Sequence, residues 1–473
     1  MNKIEKFLSY VNGKRIALVG LGISNTPLID FLTEAGAIVT GHDKKTYDKF
    51  DPEFIEKLEK KNVKLYLGEK YLDYFDEDII IKAPGIRKDA GALPKAVENG
   101  SVLTSEMELF FALSDCEKFA ITGSDGKTTT TTLIYLMLSE HYKNTDKKIY
   151  VGGNIGKPLL AQVKEIQNTD TAVLELSSFQ LHAMEARPDG AIITNVSPNH
   201  LDWHTDYDEY IDSKRRIFSY MDEGVLVLNY ENDITREMAK DASIGPEIRF
   251  FTSGDVKDIP GNHLVVYTKN EQIFVREKDG SDTFIMNESD IIIPGRHNVQ
   301  NYMAAIALLY GKTDTSVFKK IACSFSGVEH RCEFVREING VNYYNSSIDS
   351  SPSRTMAALE AFKDKKVIAI MGGYDKNIPY DVMGDCVCKH TRAVVLTGAT
   401  ATKIKKAIEE CEYAHTFTPE IHMIDDFKEA IECARSIALS GEAVVLTPAS
   451  ASFDKFRNFE ERGNLFKAII KSF

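Results

Sequence analysis

A chain of 473 residues is long enough for about three domains, each with a core of its own. Hydrophobic residues at 43% and charged residues at 27% are ordinary for a globular protein, and no apolar run approaches the ~20 residues needed to span a bilayer. The formal net charge of −13 argues against a nucleic-acid surface, which needs clustered Lys and Arg, yet leaves room for small anions held by local positive charge. The opening stretch, "MNKIEKFLSYVNGKR", carries charges where a secretion leader needs an apolar core, so the expected compartment is the cytoplasm. The seven cysteines contain no C-x-x-C set, and reduced thiols are expected rather than zinc ligands or a disulfide framework.

In chain order, "KRIALVGLG" (14–22) reads as a strand entering a glycine turn, Pro27 to Ala35 as a helix, and "AIVTGHD" as a second strand ending at Asp43. This is a Rossmann-like start, with Asp43 about 20 residues past the glycines, where a ribose-binding acid sits. Asn25 stands where a dinucleotide fingerprint has its third glycine, so the segment 1–110 reads as a small α/β domain for a nucleotide or sugar-nucleotide. "IIIKAPGI" adds a strand ending in a Pro-Gly loop.

The centre of the chain is "FAITGSDGKTTTTT" (119–132): a short apolar strand, the turn Gly123-Ser124-Asp125-Gly126, then Lys127-Thr128 opening a helix. Glycines let backbone N–H groups approach phosphate oxygens, the helix N-terminus adds partial positive charge, Lys127 reaches terminal phosphates and the Thr128 hydroxyl reaches Mg²⁺. The spacing is shorter than the usual phosphate loop, since only Gly123 precedes Gly126. Next come "GGNIGKP", read as a loop bringing Asn154 close to a ligand, and a strand over Ala172–Leu174 with Glu175 at its carboxyl end. A strand over Ala191–Thr194 then leads to a loop with Asn199, His200 and Asp202. Acid and imidazole at neighbouring strand ends suit Mg²⁺ beside phosphates. Lys214 falls on a helix with Tyr210, Ile211, Ile217 and Phe218 as its apolar face, and periodicity alone reads it as solvated. "PGRHNVQNYMAAIALLYG" reads as a helix whose first turn exposes His297, Asn298 and Asn301, amides that can bond a base edge or cap the helix.

From about Gly327, "KKVIAIMGGYDK", "TRAVVLTGATATKIKKAIEE" and "GEAVVLTPASASFDKFRNFEERGNLFKAII" give three parallel strands, each with a small-residue loop and a helix, a second Rossmann-like unit. The expected class is α/β with three domains, 1–110, 111–327 and 328–473: Rossmann-like, a central phosphate-loop ATPase with a mostly parallel sheet, and Rossmann-like again.

"TGSDGKTTTT", "GGNIG", "ELSSFQL", "TNVSPNHLD", the Lys214 segment, "GRHNVQN", "EHRCE", "MGGYDK" and "LTPASASFDKFRNFEERG" occur together in the order found in the Mur ligases, and over essentially its whole length the chain resembles that family. The resemblance implies an ATP-dependent, amide-forming enzyme of peptidoglycan precursor synthesis that couples D-glutamate to UDP-N-acetylmuramoyl-L-alanine through an acyl phosphate. By likeness, ATP is held by Gly123, Ser124, Asp125, Gly126, Lys127, Thr128 and Thr129, with Asn301 at the adenine and Arg331 at the phosphates. Thr128 and Glu175 would hold one Mg²⁺, and His200 with Lys214 a second. Lys214 would act as a carbamate made from its neutral amine and CO₂; Lys127, Glu175, His200 and Lys214 form the implied catalytic set. The UDP-substrate would meet Gly22, Ile23, Ser24, Asp43, Lys44, Pro84, Gly85, Asn154, Ser177 and Gln180. D-Glutamate would meet Ser350, Lys376, Ser452, Phe453 and Phe459. Where the family often has Asp-Ser-Lys, this chain has Ser346-Ser347-Ile348, with Asp349 nearby. The resemblance implies small-molecule partners, no nucleic acid or membrane, and a monomer. Another amino acid in the same reaction, or a nucleotide-binding regulatory homologue without catalysis, stays open at this point.

Overall fold

Short aliphatic and β-branched runs ending at glycine or small polar residues become buried parallel strands, because such side chains fill a sheet covered on both faces. The structure, a computed structural model, describes residues 1–240, 245–257, 259–362 and 366–473. Its first sheet contains β1 (Arg15–Val19), β2 (Ile38–Asp43), β3 (Lys64–Leu67), β4 (Ile79–Lys82) and β5 (Val102–Thr104) in the order β3-β2-β1-β4-β5, paired in parallel. The order reverses between β1 and β4, so the loops after them share the carboxyl edge where such sheets take ligands. Buried Asn25 fastens that edge: its amide donates to Val19 O and Ile81 O, one carbonyl from each strand. Glycine at this position has no side chain to make that link.

The second sheet contains β6 (Glu117–Thr122), β7 (Ile149–Gly153), β8 (Thr171–Glu175), β9 (Gly190–Ile193), β10 (Val225–Asn229), β11 (Glu247–Thr252), β12 (Leu264–Lys269), β13 (Gln272–Arg276) and β14 (Asp282–Asn287). Their order is β14-β13-β12-β11-β10-β9-β6-β8-β7, parallel from β7 to β12, with β13 antiparallel to β12. β6 lies between β8 and β9, with Ile121 beside Glu175 and Thr122 beside Ile193. That register delivers the ends of all three strands to one edge. The glycines of "GGNIG" are only partly loop, since Gly152 and Gly153 finish β7.

The third sheet contains β15 (Glu333–Ile338), β16 (Val341–Asn345), β17 (Val367–Met371), β18 (Thr391–Leu396), β19 (Glu420–Met423) and β20 (Ala443–Leu446) in the order β15-β16-β20-β17-β18-β19. The three parallel strands expected from sequence are β17, β18 and β20. β16 and β19 join them in parallel, and β15 adds an antiparallel edge. The chain divides into two compact units, Met1–Met286 with Gln300–Phe318 and Asn287–Val299 with Lys319–Phe473; the first carries the first two sheets and the second the third. Among the described residues no helix is long and apolar enough to cross a membrane.

The helix Lys127–His141 opens with β-branched threonines, which are poor helix formers in isolation. Burial overrides propensity here: Thr129, Thr130 and Thr131 are covered, together with Leu133, Ile134, Met137 and Leu138.

Leu18, wholly buried at the centre of the first sheet's core, sets the scale of such packing. Leu18→Ala is expected to destabilise that sheet by about 2–5 kcal/mol. The measurement is urea unfolding, with the earliest transition moved to lower denaturant.

Candidate active site

The turn after β6 is built by close approach. Gly123 (φ +149°) and Gly126 (φ +79°) lie in the region that favours glycine; a Cβ on the first would overlap the Thr194 hydroxyl, and on the second the Asn301 side-chain oxygen. Thr194 Oγ1 donates to Asp125 O at 2.5 Å, and Asp125 N donates to Asn195 Oδ1 at 3.0 Å, so the end of β9 clamps the turn. Ser124 Oγ accepts from Ser197 N at 2.9 Å and lies 2.8 Å from the Tyr210 hydroxyl.

Two lysines converge on this turn. Lys127 Nζ donates to Gly123 O and Ser124 O, both at 2.9 Å, and Lys214 Nζ donates to the same Gly123 O at 2.7 Å. The solvated position read for Lys214 is overturned: it is 1% exposed, with its amine 4.6 Å from the centre of the Tyr210 ring. Burial, then the nearby Lys127 charge, push the Lys214 amine well below its ordinary range, towards the neutral form. Partial burial and the Lys127 charge likewise lower the His200 imidazole.

Glu175 closes the cluster at 1% exposure. Asn154 Nδ2 donates to its Oε1 at 2.8 Å, whereas Oε2 is buried with no hydrogen-bond partner. A buried, unpartnered carboxylate oxygen is costly in a protein interior and suits a cation ligand. Among the described residues no three His, Cys, Asp or Glu side chains converge as a ready-made metal cage. The residues therefore fit a hard cation that also takes phosphate oxygens and water, as Mg²⁺ does. Thr128 is half-buried and Thr129 buried at the start of the same helix.

Asn298 and Asn301 are buried rather than exposed, at 6% and 5%. Asn298 Nδ2 donates to Pro294 O, a bond within its own helix start, whereas Asn301 Oδ1 accepts from Thr130 Oγ1 at 3.3 Å and so lies against the phosphate-loop helix.

In the first sheet, Asp43 is nearly buried and both oxygens are engaged: Oδ2 accepts from Leu21 N and Oδ1 from Lys45 N, each at 2.8 Å. It shapes the glycine turn, and its remaining lone pairs are what a ribose could use. Gly22, Ile23 and Lys44 are exposed and Ser24 half-buried beside it. Pro84 is half-buried and Gly85 exposed, with Gly85 O accepting from Trp203 Nε1 at 3.0 Å. Ser177 and Gln180 form a capping box on the helix Ser178–Leu181, each bonding the other's backbone N–H, so their polar atoms already have local partners.

In the second unit, the parallel register sets the ends of β16, β20 and β17 side by side. Half-buried Ser350, exposed Lys376 and buried Ser452 lie on the loops that follow. Phe453 is 61% exposed with its ring 6.1 Å from Tyr374, and Phe459 opens the helix Phe459–Ser472, its carbonyl accepting from Ser347 Oγ. Arg331 is exposed. Ser346, which stands where an acid is usual, is buried and accepts from Cys332 N. Asp349 is buried too, pushed up to about 6 by burial, and accepts from Thr447 Oγ1 at 2.9 Å.

Sequence reasoning missed two organising residues. Arg462, 2% exposed, donates to Ser347 Oγ and O, Ser450 O and Ala451 O, stapling the loops after β16 and β20. Glu209 accepts from both terminal nitrogens of Arg87 at 2.9 and 3.0 Å, from His182 Nε2 at 3.2 Å and from His204 Nδ1 at 3.3 Å. The Arg87 pair, the first cause, holds its carboxyl well below the usual range. No motif signals either residue, since Ser347 lies 115 positions from Arg462 and Arg87 lies 122 from Glu209 in sequence.

Residues 121–309 match the Mur ligase middle domain and residues 330–450 the Mur ligase glutamate ligase domain. The chain is 47% identical to the UDP-N-acetylmuramoylalanine–D-glutamate ligase of Acetivibrio thermocellus, over 99% of both chains. It is 46% identical to the protein of the same name from Ruminiclostridium cellulolyticum, over 100% of this chain and 99% of that one. In solved structures the fold recurs in MurF of Acinetobacter baumannii (14% identity, TM-score 0.58, 99% of this chain and 98% of that one). It recurs also in the UDP-N-acetylmuramate-alanine ligase MurC of Thermotoga maritima (17%, TM-score 0.56, 97% and 99%). Three mostly parallel sheets with a short glycine turn ahead of a Lys-Thr helix define a phosphate-loop α/β protein. The chain belongs to the Mur ligase family.

Glu209 holds groups from three segments while sitting on the helix Tyr207–Arg215 that carries Lys214. Glu209→Ala is expected to cost about 1–3 kcal/mol, because Arg87 loses its bidentate partner. Thermal melting of the variant against the native protein checks this, with Glu209→Gln expected to lose less.

Proposed function

We propose that this chain is the ligase that joins D-glutamate to the L-alanyl carboxylate of UDP-N-acetylmuramoyl-L-alanine, consuming ATP and releasing ADP and phosphate in peptidoglycan precursor synthesis. The name carried by relatives 46–47% identical over whole chains supports the substrates. The observation that carries the chemistry is the meeting of Lys127, Lys214 and the unpartnered Glu175 oxygen around the Gly123 turn.

A carboxylate cannot release oxide at neutral pH, so it is first phosphorylated. Its oxygen attacks the γ-phosphorus of ATP in line, giving an acyl phosphate and ADP; the D-glutamate amine then attacks the acyl carbon and phosphate leaves. Several negative groups meet in the first step, and positioned positive charge is the main catalytic device for such transfers. Lys127 and the turn 123–129 would hold the phosphates, with Asn301 at the adenine and Arg331 as a further phosphate contact. Thr128 and Glu175 would hold one Mg²⁺, and His200 with carbamylated Lys214 another; bound there, the metal supplies positive charge against the phosphates. A neutral buried amine is the form that takes up CO₂, which is why the depressed Lys214 supports the carbamate. Residues 1–110 would take the UDP end through Gly22, Ile23, Ser24, Asp43, Lys44, Pro84 and Gly85, with Asn154, Ser177 and Gln180 from the central domain, 111–327. Residues 328–473 would take D-glutamate, its two carboxylates suited to Lys376, Ser350 and Ser452, with Phe453 and Phe459 beside it. The enzyme would act as a monomer in the cytoplasm.

Phosphate release from ATP is expected to require both UDP-N-acetylmuramoyl-L-alanine and D-glutamate, and a panel of amino acids in that assay tests the choice of substrate. Lys127→Ala is expected to lower ligation by about 10²–10³-fold; near-normal turnover would refute the assignment of the turn. Mass spectrometry of the native protein in bicarbonate is expected to find the mass of CO₂ added at Lys214 and lost on acidification, whereas an active enzyme with a bare amine there would dispose of the carbamate.

A further inference from the structure

On the β4–β5 side of the first sheet lies a cavity of about 610 Å³, most of whose lining has no role in the proposed chemistry. Its size falls within the roughly 300–1,000 Å³ of small-molecule sites. Pro94, Val97, Val102, Leu103 and Met107 supply apolar wall, and Val97 and Val102 are 45% and 51% exposed at its mouth. Lys82, the last residue of β4, also lines it. That lysine is only 3% exposed, and neither a hydrogen bond nor an ion pair is found for its amine among the described residues. Burial, against the opposing pull of Glu108 and with a lesser push from Lys88, also in the lining, lowers the amine to about 8.

The carboxyl groups of the lining are accounted for, and Lys88 is exposed to water. Asp89 is paired to Arg87 through two bonds of 2.9 Å. Glu106 accepts from Leu160 N at 2.9 Å and is pushed up to about 7 by burial. Glu108 accepts from Thr104 Oγ1 and is raised by burial as well. Lys82 is therefore the buried charged group of this cavity for which no partner is found among the described residues, and a buried ammonium without one is costly. An anion on the ligand would supply a charge-assisted hydrogen bond. Three carboxyl groups in the wall oppose a dianion such as a phosphate monoester, and the apolar mouth suits a hydrocarbon body.

We propose that this cavity is an accessory binding site for a small organic carboxylate with an aliphatic or ring body, its carboxylate seated on Lys82. Ser24, Pro84 and Gln180 line it as well, so an occupant weakens binding of the UDP-substrate; this second part rests on the proposed function above.

Octanoate and octanol serve as probes, titrated calorimetrically into the full-length native protein, Lys82→Met and Val97→Trp. Octanoate is expected to bind saturably and about tenfold or more tighter than octanol. Lys82→Met should abolish that difference, and Val97→Trp, at the mouth, should weaken both probes. Equal affinities in the native protein, or octanoate binding unchanged by Lys82→Met, overturn the site. Should Lys82→Met fail to fold, as its melting curve would reveal, the native octanoate–octanol ratio and Val97→Trp still decide. Saturating octanoate is expected to raise KM for UDP-N-acetylmuramoyl-L-alanine about fivefold with kcat unchanged. An unmoved KM with octanoate bound overturns the coupling alone. Lys82-dependent binding in a protein without ligase activity would instead count against the proposed function, not the cavity.

Discussion

Two lysine amines bond one carbonyl oxygen, that of Gly123, and the rest of the site is arranged around this crowding. Two ammonium groups on one acceptor repel each other strongly where water is excluded. The tension is relieved if the more buried amine gives up its proton, and Lys214, 1% exposed, is that amine. The sheet makes the meeting unavoidable: β6 runs between β8 and β9, so its turn emerges between Glu175 and Thr194. Gly123 permits the approach, because any Cβ there would occupy the place of the Thr194 hydroxyl. A lysine that is buried, aimed at the turn and pushed towards its neutral form is thus a consequence of strand order and one missing side chain.

The acid opposite is divided in the same spirit. Asn154, just past the end of β7, donates its backbone N–H to Glu175 O and its amide to Glu175 Oε1, fixing the carboxylate from both ends. The second oxygen is left buried and unpaired, an arrangement that stabilises nothing by itself and is retained at a cost. Asn301 does comparable work on the far side, bonding Thr130 and filling the space against Gly126. Local instability coincides here with the function proposed for these atoms, as expected where groups are held ready for a cation and an anion.

The parts legible in sequence were those whose physics is local. β6, β8 and β9 are short apolar runs, and the glycine turn with Lys127-Thr128 announces itself. β5 has three residues, β3 and β19 are half-exposed, and β15 with β16 forms a polar antiparallel edge; none carries a long enough pattern to stand out from loop. The resemblance assigns Ser177 and Gln180 only to the UDP-substrate, although S-x-x-Q is a helix-start signature and the structure bonds the two to each other as a capping box. Periodicity placed Lys214 on an amphipathic helix yet could not report its burial, because Tyr210 and the Gly123 turn that cover it come from tertiary packing. Asn298 and Asn301 failed in the same way: a helix start looks exposed until its neighbours are known.

Glu209 extends this dependence to the first sheet. Its carboxylate receives Arg87 from the loop after β4, and Trp203 bonds Gly85 O in that same loop. Its other partners are His182, next to the helix Ser178–Leu181, and His204, four residues after His200. Burial lowers both imidazoles towards their neutral forms, so each has one ring N–H to give, and His204 gives its Nδ1–H to Glu209 while Nε2 accepts from Ser178 Oγ. One side chain therefore fixes the Pro84-Gly85 loop, the His200 loop and the Lys214 helix against one another. Within this unit the groups proposed to touch the UDP-substrate and those proposed to face the phosphates cannot move independently, since shifting either breaks charge-assisted bonds at Glu209.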